Sequence, residues 1–288
     1  MDKVVLIGNC QATALEMMLR TNSAFAERFE FVSFPPVHEF PEEMVPALHR
    51  AVADASVLIP QRIDDAYRAG MGLGTNTLRD IAHTDTVVRW PSVYWAGYFP
   101  DLFYARDASG RPVVDDRFDY HDRVILRAYG AGIDVAGACA LLEDAERPSN
   151  AQEWAAHATA ELEIRGKDCE VQVTSFISSH FREELLFFTM NHPTNRMLAF
   201  IAQEITELLA VPGSVDAKLM PGEVLESTFY PLHANHVRAL DLSFGAALLA
   251  GRTPFRIRGT SYELADAVQV FYEYYDEHPQ LVELNLDP

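Results

Sequence analysis

The first hundred residues alternate short β-branched runs with segments of helical period, and this alternation constrains the fold more than any other feature of the chain. Val4-Val5-Leu6-Ile7, Phe31-Val32-Ser33-Phe34, Val57-Leu58-Ile59 and Val87-Val88-Arg89-Trp90 are candidate strands. Between them, Ala12 to Arg20 puts Leu15, Met18 and Leu19 on one helical face, a helix from about Pro41 to Asp54 spaces Val45, Leu48 and Val52 likewise, and Asn76 to Ala82 reads as a short helix. Strands that are apolar throughout and separated by helices imply an α/β fold, with a parallel sheet covered on both faces.

After about residue 105 the pattern changes. Asp107 to Asp122 reads as a polar excursion, and from Tyr120 onward nearly every periodic segment is helical. Helices are predicted over Asp134 to Asp144, over Trp154 to Ile164 with Ser149-Asn150 as cap, over Thr174 to Arg182, Thr194 to Leu209 and Tyr262 to Tyr275. Leu185 to Met190 is expected to be a late strand that returns to the sheet. No internal repeat or low-complexity linker interrupts the chain. The expected organisation is one α/β domain over 1–288, in which 1–105 and 185–210 make the sheet core and 106–184 and 211–288 are mainly helical additions.

Charge narrows the function classes. Against 42 Asp plus Glu stand 23 Lys plus Arg, a net charge of −19, which weighs against bulk nucleic-acid binding. Ten arginines nevertheless meet eleven aspartates between Arg50 and Arg127. A phosphate-bearing small ligand could be held there, or the arginines could simply pair with neighbouring aspartates. Three cysteines without a CxxC spacing argue against a disulfide framework or a zinc site and fit a reducing cytoplasm. The first apolar run stops after four residues, too short for a signal peptide, and no stretch approaches the roughly 18 apolar residues of a membrane span.

Gly8-Asn9-Cys10-Gln11-Ala12 falls where the first strand ends and the first helix begins. Ligands of open α/β sheets bind at the carboxyl ends of strands, and the positive end of a helix dipole favours a thiolate. The amides of Gln11 and Ala12 would point at an oxyanion forming near the sulfur. Cys10 is thus a candidate nucleophile, the alternative being a small buried apolar residue. A nucleophilic thiol needs a base, and His192 follows the expected late strand in Met190-Asn191-His192-Pro193, again at a sheet edge. Its alternative is an ordinary loop histidine. His233 and His236, three apart, could share a helical face and bind a metal, but no acid stands at a zincin-like spacing and no metal is expected. Gly70-Met71-Gly72-Leu73-Gly74 lacks a preceding strand and reads as a loop rather than a dinucleotide site. Gln61-Arg62 follows the third strand: Gln61 could donate at the same edge as Cys10, and Arg62 could meet a phosphate. The aromatic residues of Trp90 to Pro100 wall a pocket or pack a core.

Taken together, Gly8-Asn9-Cys10-Gln11, Gln61 with Tyr67-Arg68, Pro91-Ser92-Tyr94-Gly97-Tyr98-Pro100-Asp101 and Asn191-His192-Pro193 resemble the WcbI family over about residues 3 to 210. Its members are described as candidate acetyltransferases of capsular polysaccharide biosynthesis. The resemblance implies a parallel-sheet, SGNH- or flavodoxin-like α/β core with a helix-rich C-terminal half packed against it, and coenzyme A or acyl-CoA as ligand. SGNH enzymes carry a serine on the turn after strand one and an aspartate three residues before the histidine. Here the two positions hold Cys10 and Thr189. A thiol ionises far more easily than a hydroxyl, so a Cys–His pair can dispense with the acid.

The function expected from the resemblance is acyl-CoA-dependent O-acyl transfer to a sugar-like acceptor. Cys10 and His192 would be its catalytic pair and Gln11 with Gln61 its oxyanion donors. Asn9, Arg62, Arg68, Arg89, Ser92 and Tyr94 are the candidate coenzyme-binding residues. A cysteine-dependent thioesterase or esterase, or a non-catalytic CoA-binding protein, are the alternatives. Oligomeric state stays open.

Overall fold

The computed structural model describes residues 1–68, 70–113, 117–250 and 255–286, the side chain of residue 250 apart. Residues 114–116 of the polar excursion therefore lie outside the described residues. The chain opens with β1 (Asp2–Ile7), α1 (Cys10–Leu19), α2 (Ser23–Arg28), β2 (Phe29–Val32), a 3₁₀ turn (Glu42–Met44), α3 (Val45–Asp54), β3 (Val57–Pro60) and α4 (Thr75–Ile81). β4 (Leu102–Phe103), β5 (His121–Asp122), α5 (Arg123–Gly130), α6 (Val135–Glu143), α7 (Ala151–Gly166) and α8 (Thr174–His180) follow. β6 (Phe187–Thr189), β7 (His192–Pro193), α9 (Asn195–Leu208), α10 (Ala234–Leu240), α11 (Gly245–Ala250), β8 (Phe255–Ile257), β9 (Thr260–Tyr262), α12 (Leu264–Glu277) and α13 (Pro279–Asn285) complete it.

The chain divides into two compact units. The first comprises Met1–Tyr94, Thr159–Ser179 and Pro193–Leu225. Its sheet is parallel in the order β2-β1-β3, with Val4 aligned to Phe31 on one side and Val57 on the other. All of Val4 to Ile7 and Val57 to Pro60 are buried, so these strands are covered on both faces, the reason their sequence runs apolar without alternating. α1 packs on α9, burying Leu15, Met18 and Leu19 as the helical period requires.

The fourth expected strand is only partly realised. Residues 87–90 run parallel beside β3, but pair through isolated bridges, Leu58 with Val87 and Gln61 with Trp90. Pro60 explains the broken ladder: its carbonyl accepts from the Trp90 N–H at 3.2 Å, but it has no N–H to return.

The second unit comprises Trp95–Ala158, His180–His192 and Glu226–Pro288. It holds the two-stranded pair β4-β5, the hairpin β8-β9 and helices including α5, α6 and α12, which pack on one another. Buried Phe118, Tyr230, Phe255, Phe271, Tyr274 and Tyr275 make an aromatic core there. Here the expectation of a late strand returning to the sheet is corrected. β6 pairs with β7 in a two-stranded sheet, and Met190 O accepts the Trp95 N–H at 2.7 Å. An apolar run identifies a buried strand but not the sheet it joins. Among the described residues no helix is long and apolar enough to cross a membrane.

Candidate functional site

In the first unit the turn after β1 is held by a closed set of hydrogen bonds. Asn9 is the N-cap of α1: its side chain accepts the Gln11 N–H at 3.0 Å, and its carbonyl accepts the Ala12 N–H at 2.9 Å. Cys10 is therefore the first helical residue, half-buried, at the carboxyl end of a central strand. Gly8 allows this: a Cβ there would lie 2.9 Å from Gln61 Cβ and 3.2 Å from Ala12 Cβ. None of the three cysteines forms a disulfide among the described residues.

Gln11 and Gln61 are buried and brace the turn. Gln61 Oε1 accepts the Asn9 N–H at 3.0 Å, and its Nε2 donates to Gln11 Oε1 at 3.1 Å. Gln11 in turn donates to Val93 O at 2.9 Å and accepts the Val93 N–H at 3.1 Å. The two carboxamides thus lock three loops together at the sheet edge. The amides of Gln11 and Ala12, expected to face an oxyanion, are engaged by Asn9. The geometry makes these groups positioning elements for Cys10, because an oxyanion would first have to displace their present partners.

The other candidates lie around this edge with different degrees of commitment. Ser92 Oγ is 3.5 Å from Asn9 Nδ2. Tyr94 sits under the Arg165 guanidinium, 5.3 Å from its ring centroid, and burial pushes its phenol up. Arg89 is bound to Glu170 through its backbone N–H and guanidinium, at 2.6 Å each. Arg68, at φ +47°, donates to Val37 O and Phe40 O. Among the described residues, Arg62 is held only by Asp168 at 4.0 Å, with a side chain 41% exposed. It is the most available of the three for an anionic ligand.

Burial separates the thiols. It pushes Cys169 up to about 11, against the pull of Arg62 and Arg89. It also raises Cys139, where the charge of Glu143 adds to the effect. Cys10 at a helix N-terminus is accordingly the thiol expected to alkylate first with limiting iodoacetamide between pH 6 and 8. Peptide mapping that finds Cys139 or Cys169 modified faster would overturn that order.

His192 belongs to the second unit. Its Nδ1 is buried with no hydrogen-bond partner among the described residues. Burial lowers its pKa, opposed by the charge of Asp119 and a hydrogen bond with the Thr228 backbone, which leaves a neutral ring near pH 7. Asn191 fixes the turn before it, accepting from Tyr120 Oη at 2.5 Å and Thr189 Oγ1 at 3.1 Å and donating to Tyr104 Oη at 3.1 Å. Thr189 thus serves to hold the turn. A neutral imidazole with an unengaged lone pair is chemically suited to accept a proton.

A second polar group in this unit was only half legible. Asp101 Oδ2 receives His236 Nε2 at 2.8 Å and His233 Nδ1 at 3.2 Å, and His233 Nε2 meets Asp122 Oδ2 at 2.8 Å. Burial alone would discharge His233, but the Asp122 charge and the hydrogen bonds of both aspartates raise it to about 9. His233 is thus protonated at neutral pH, its Nδ1–H donating to Asp101. Arg147 lies beside it, within 3.4 Å of Asp101 and 3.2 Å of Asn235 Oδ1. Burial and the charges of His233 and Arg147 lower His236 despite its bond to Asp101; it stays neutral and accepts from Ser149 Oγ at 2.8 Å.

The ligand atoms of Asp101, His233 and His236 lie within 4.8 Å of one another, as a metal centre would need. The donor set fits poorly, because an ion would have to expel the His233 proton and sit against the Arg147 cation. The acid missing from the local sequence comes from Asp101, 132 residues before His233, a separation no local spacing rule detects.

Residues 3–214 match the model of the family described as polysaccharide biosynthesis enzyme WcbI. The chain belongs to the WcbI family. A solved structure of WcbI, described as a novel polysaccharide biosynthesis enzyme and as native protein without a disulfide bond between CoA and a cysteine, shares the fold. It aligns with a TM-score of 0.83 at 22% identity, covering 99% of this chain and 94% of that one. No curated protein matches the sequence. The WcbI match includes the Cys10 turn, His192 and Asp101, and ends before His233 and His236.

Proposed function

We propose that the chain is an acyl-CoA-dependent O-acyltransferase acting on a sugar or polysaccharide precursor. The observation that carries this reading is Cys10: a half-buried thiol on the first turn of α1, at the end of a central parallel strand, positioned by two buried glutamines. The family's assignment to polysaccharide biosynthesis and the mention of CoA beside a cysteine in the solved WcbI structure supply the substrate class. A β2-β1-β3 order with the reactive residue after β1 also supports an SGNH- or flavodoxin-like ancestry for the core.

In this reading the Cys10 thiolate attacks the thioester carbonyl. The acyl carbon–sulfur bond to coenzyme A breaks, and the departing thiolate takes up a proton from water. His192 removes the proton of the acceptor hydroxyl, whose oxygen attacks the acyl-cysteine and releases Cys10. Asn9, Ser92 and Tyr94 line the thiol end of the coenzyme, and Arg62 meets its phosphates.

Ligand that binds only the folded state raises apparent stability, by about 2.7 kcal/mol at a hundredfold excess over Kd. Coenzyme A should therefore raise the melting temperature, and Arg62→Ala should shrink the shift. Arg68→Ala is less informative, since it also releases the Val37 and Phe40 carbonyls. No shift at millimolar coenzyme A would refute the assignment.

A further inference from the structure

Within the second unit a cavity of about 580 Å³ opens among α6, α11, β8 and the start of α12. Its size suits a small organic ligand, for which about 300–1,000 Å³ is typical. Leu142, Phe229, Leu232, Leu248, Phe255 and Leu264 provide much of its apolar wall. The polar groups are of two kinds. Asp122 and His233 are already satisfied: Asp122 Oδ1 accepts the Val124 N–H at 2.8 Å and the Ile125 N–H at 3.3 Å, while its Oδ2 meets the His233 ring. Glu143 and Glu263, by contrast, are exposed carboxylates without an ion pair among the described residues. Cys139 also lines the cavity, its thiol kept neutral by burial and by Glu143.

We propose that this cavity binds an amphiphilic cation, its apolar body against the leucine and phenylalanine side chains and its ammonium group at Glu143 and Glu263. The only described cation on the wall, the His233 ring, is spent on two aspartates, so the field at Glu143 and Glu263 is negative. Aromatic faces favour a cation further, and the chain's charge of −19 draws cations in. An anion meets the same carboxylates as repulsion. The proposal is independent of the acyltransferase reading.

Cys139 gives a readout that needs no activity. Octyltrimethylammonium, octyl glucoside and octanoate share a tail length and differ in head charge. Each is added below its micelle concentration, and N-ethylmaleimide modification at pH 8.5 is followed by peptide mapping, with Cys10 and Cys169 as references in the same digest. The ammonium compound should protect Cys139 at the lowest concentration and octanoate should not. Equal protection by octyl glucoside overturns the claim for a cation, and no protection by any compound overturns the cavity as a site. Replacing both carboxylates in Glu143→Gln/Glu263→Gln should weaken ammonium binding by roughly two- to fivefold for each charge removed. Ala265 is exposed on the first turn of α12 and lines the cavity, so Ala265→Trp should narrow it without disturbing the core. Calorimetric titration of that variant should show weakened octyltrimethylammonium binding at an unchanged melting temperature; binding as tight as in the unaltered chain would place the site elsewhere.

Discussion

Incubation with an acyl-CoA should leave the acyl group on Cys10, visible as a mass increase of the intact chain, and Cys10→Ala should abolish turnover. Cys10 takes its place from Gly8, Asn9 and the paired carboxamides of Gln11 and Gln61, none of which the substitution removes. Loss of activity would then report lost chemistry rather than a collapsed turn. His192→Ala should lower turnover by about 10²- to 10⁴-fold, the range for a general base, with KM for the acyl-CoA little changed. If no acyl-enzyme forms and Cys10→Ala retains part of the rate while His192→Ala does not, transfer is direct and Cys10 only lines the site. Release of coenzyme A without an acceptor would identify a thioesterase. Unchanged activity in both variants would dismiss the assignment and turn attention to His233 and His236.

Asp101→Ala should cost about 3–5 kcal/mol of stability, because it leaves a protonated His233 and the Arg147 guanidinium partly buried without their shared carboxylate. A urea titration at pH 7 measures this; a loss under 1 kcal/mol would show that the network is not a charged one. pH gives an independent check. The His233 proton is bound more tightly in the folded chain, at about 9, than in the unfolded one, near 6.5. Its contribution is therefore fully present below about pH 6.5 and disappears as pH rises through 9, a fall of order 3 kcal/mol. Asp101 behaves oppositely. Burial raises its pKa, but the bonds and charges of His233 and His236 hold it well below the usual carboxylate range, so its contribution is full above that range and is lost progressively as pH falls below it. His233→Gln should remove the alkaline decline.

Local chemistry made much of the first unit legible. Four consecutive apolar residues ending at Gly8-Asn9 are enough to predict a buried strand, a tight turn and a capped helix, because each step needs only neighbours in sequence. The same holds for α3, α4, α6, α9 and α12, whose apolar spacing places them within a few residues of expectation. Helices α2, α5, α10, α11 and α13, six to eight residues each, were not expected.

Tertiary structure decided which partners the polar side chains found. Gln61, expected as a donor at the sheet edge, does lie there, but buried with Gln11, whose carboxamide sets the demand that Gln61 and Val93 satisfy. Arg89 and Arg68, equivalent to Arg62 in the sequence as phosphate candidates, are engaged by Glu170 and by backbone carbonyls. Likewise β6 reads as a strand from its apolar run, but the sequence carries no mark of pairing with β7 rather than with the parallel sheet. Asp101, Asp122, Arg147, His233 and His236 come from four separate stretches, and only folding brings them into one network. The sequence alone determined the α/β alternation and the placing of a thiol at the start of α1, because strand, turn and cap are local free-energy choices. The choice of long-range partners was left to the fold, because a buried polar group must pair with whatever group packing brings within reach, and its distance along the chain does not enter that energy.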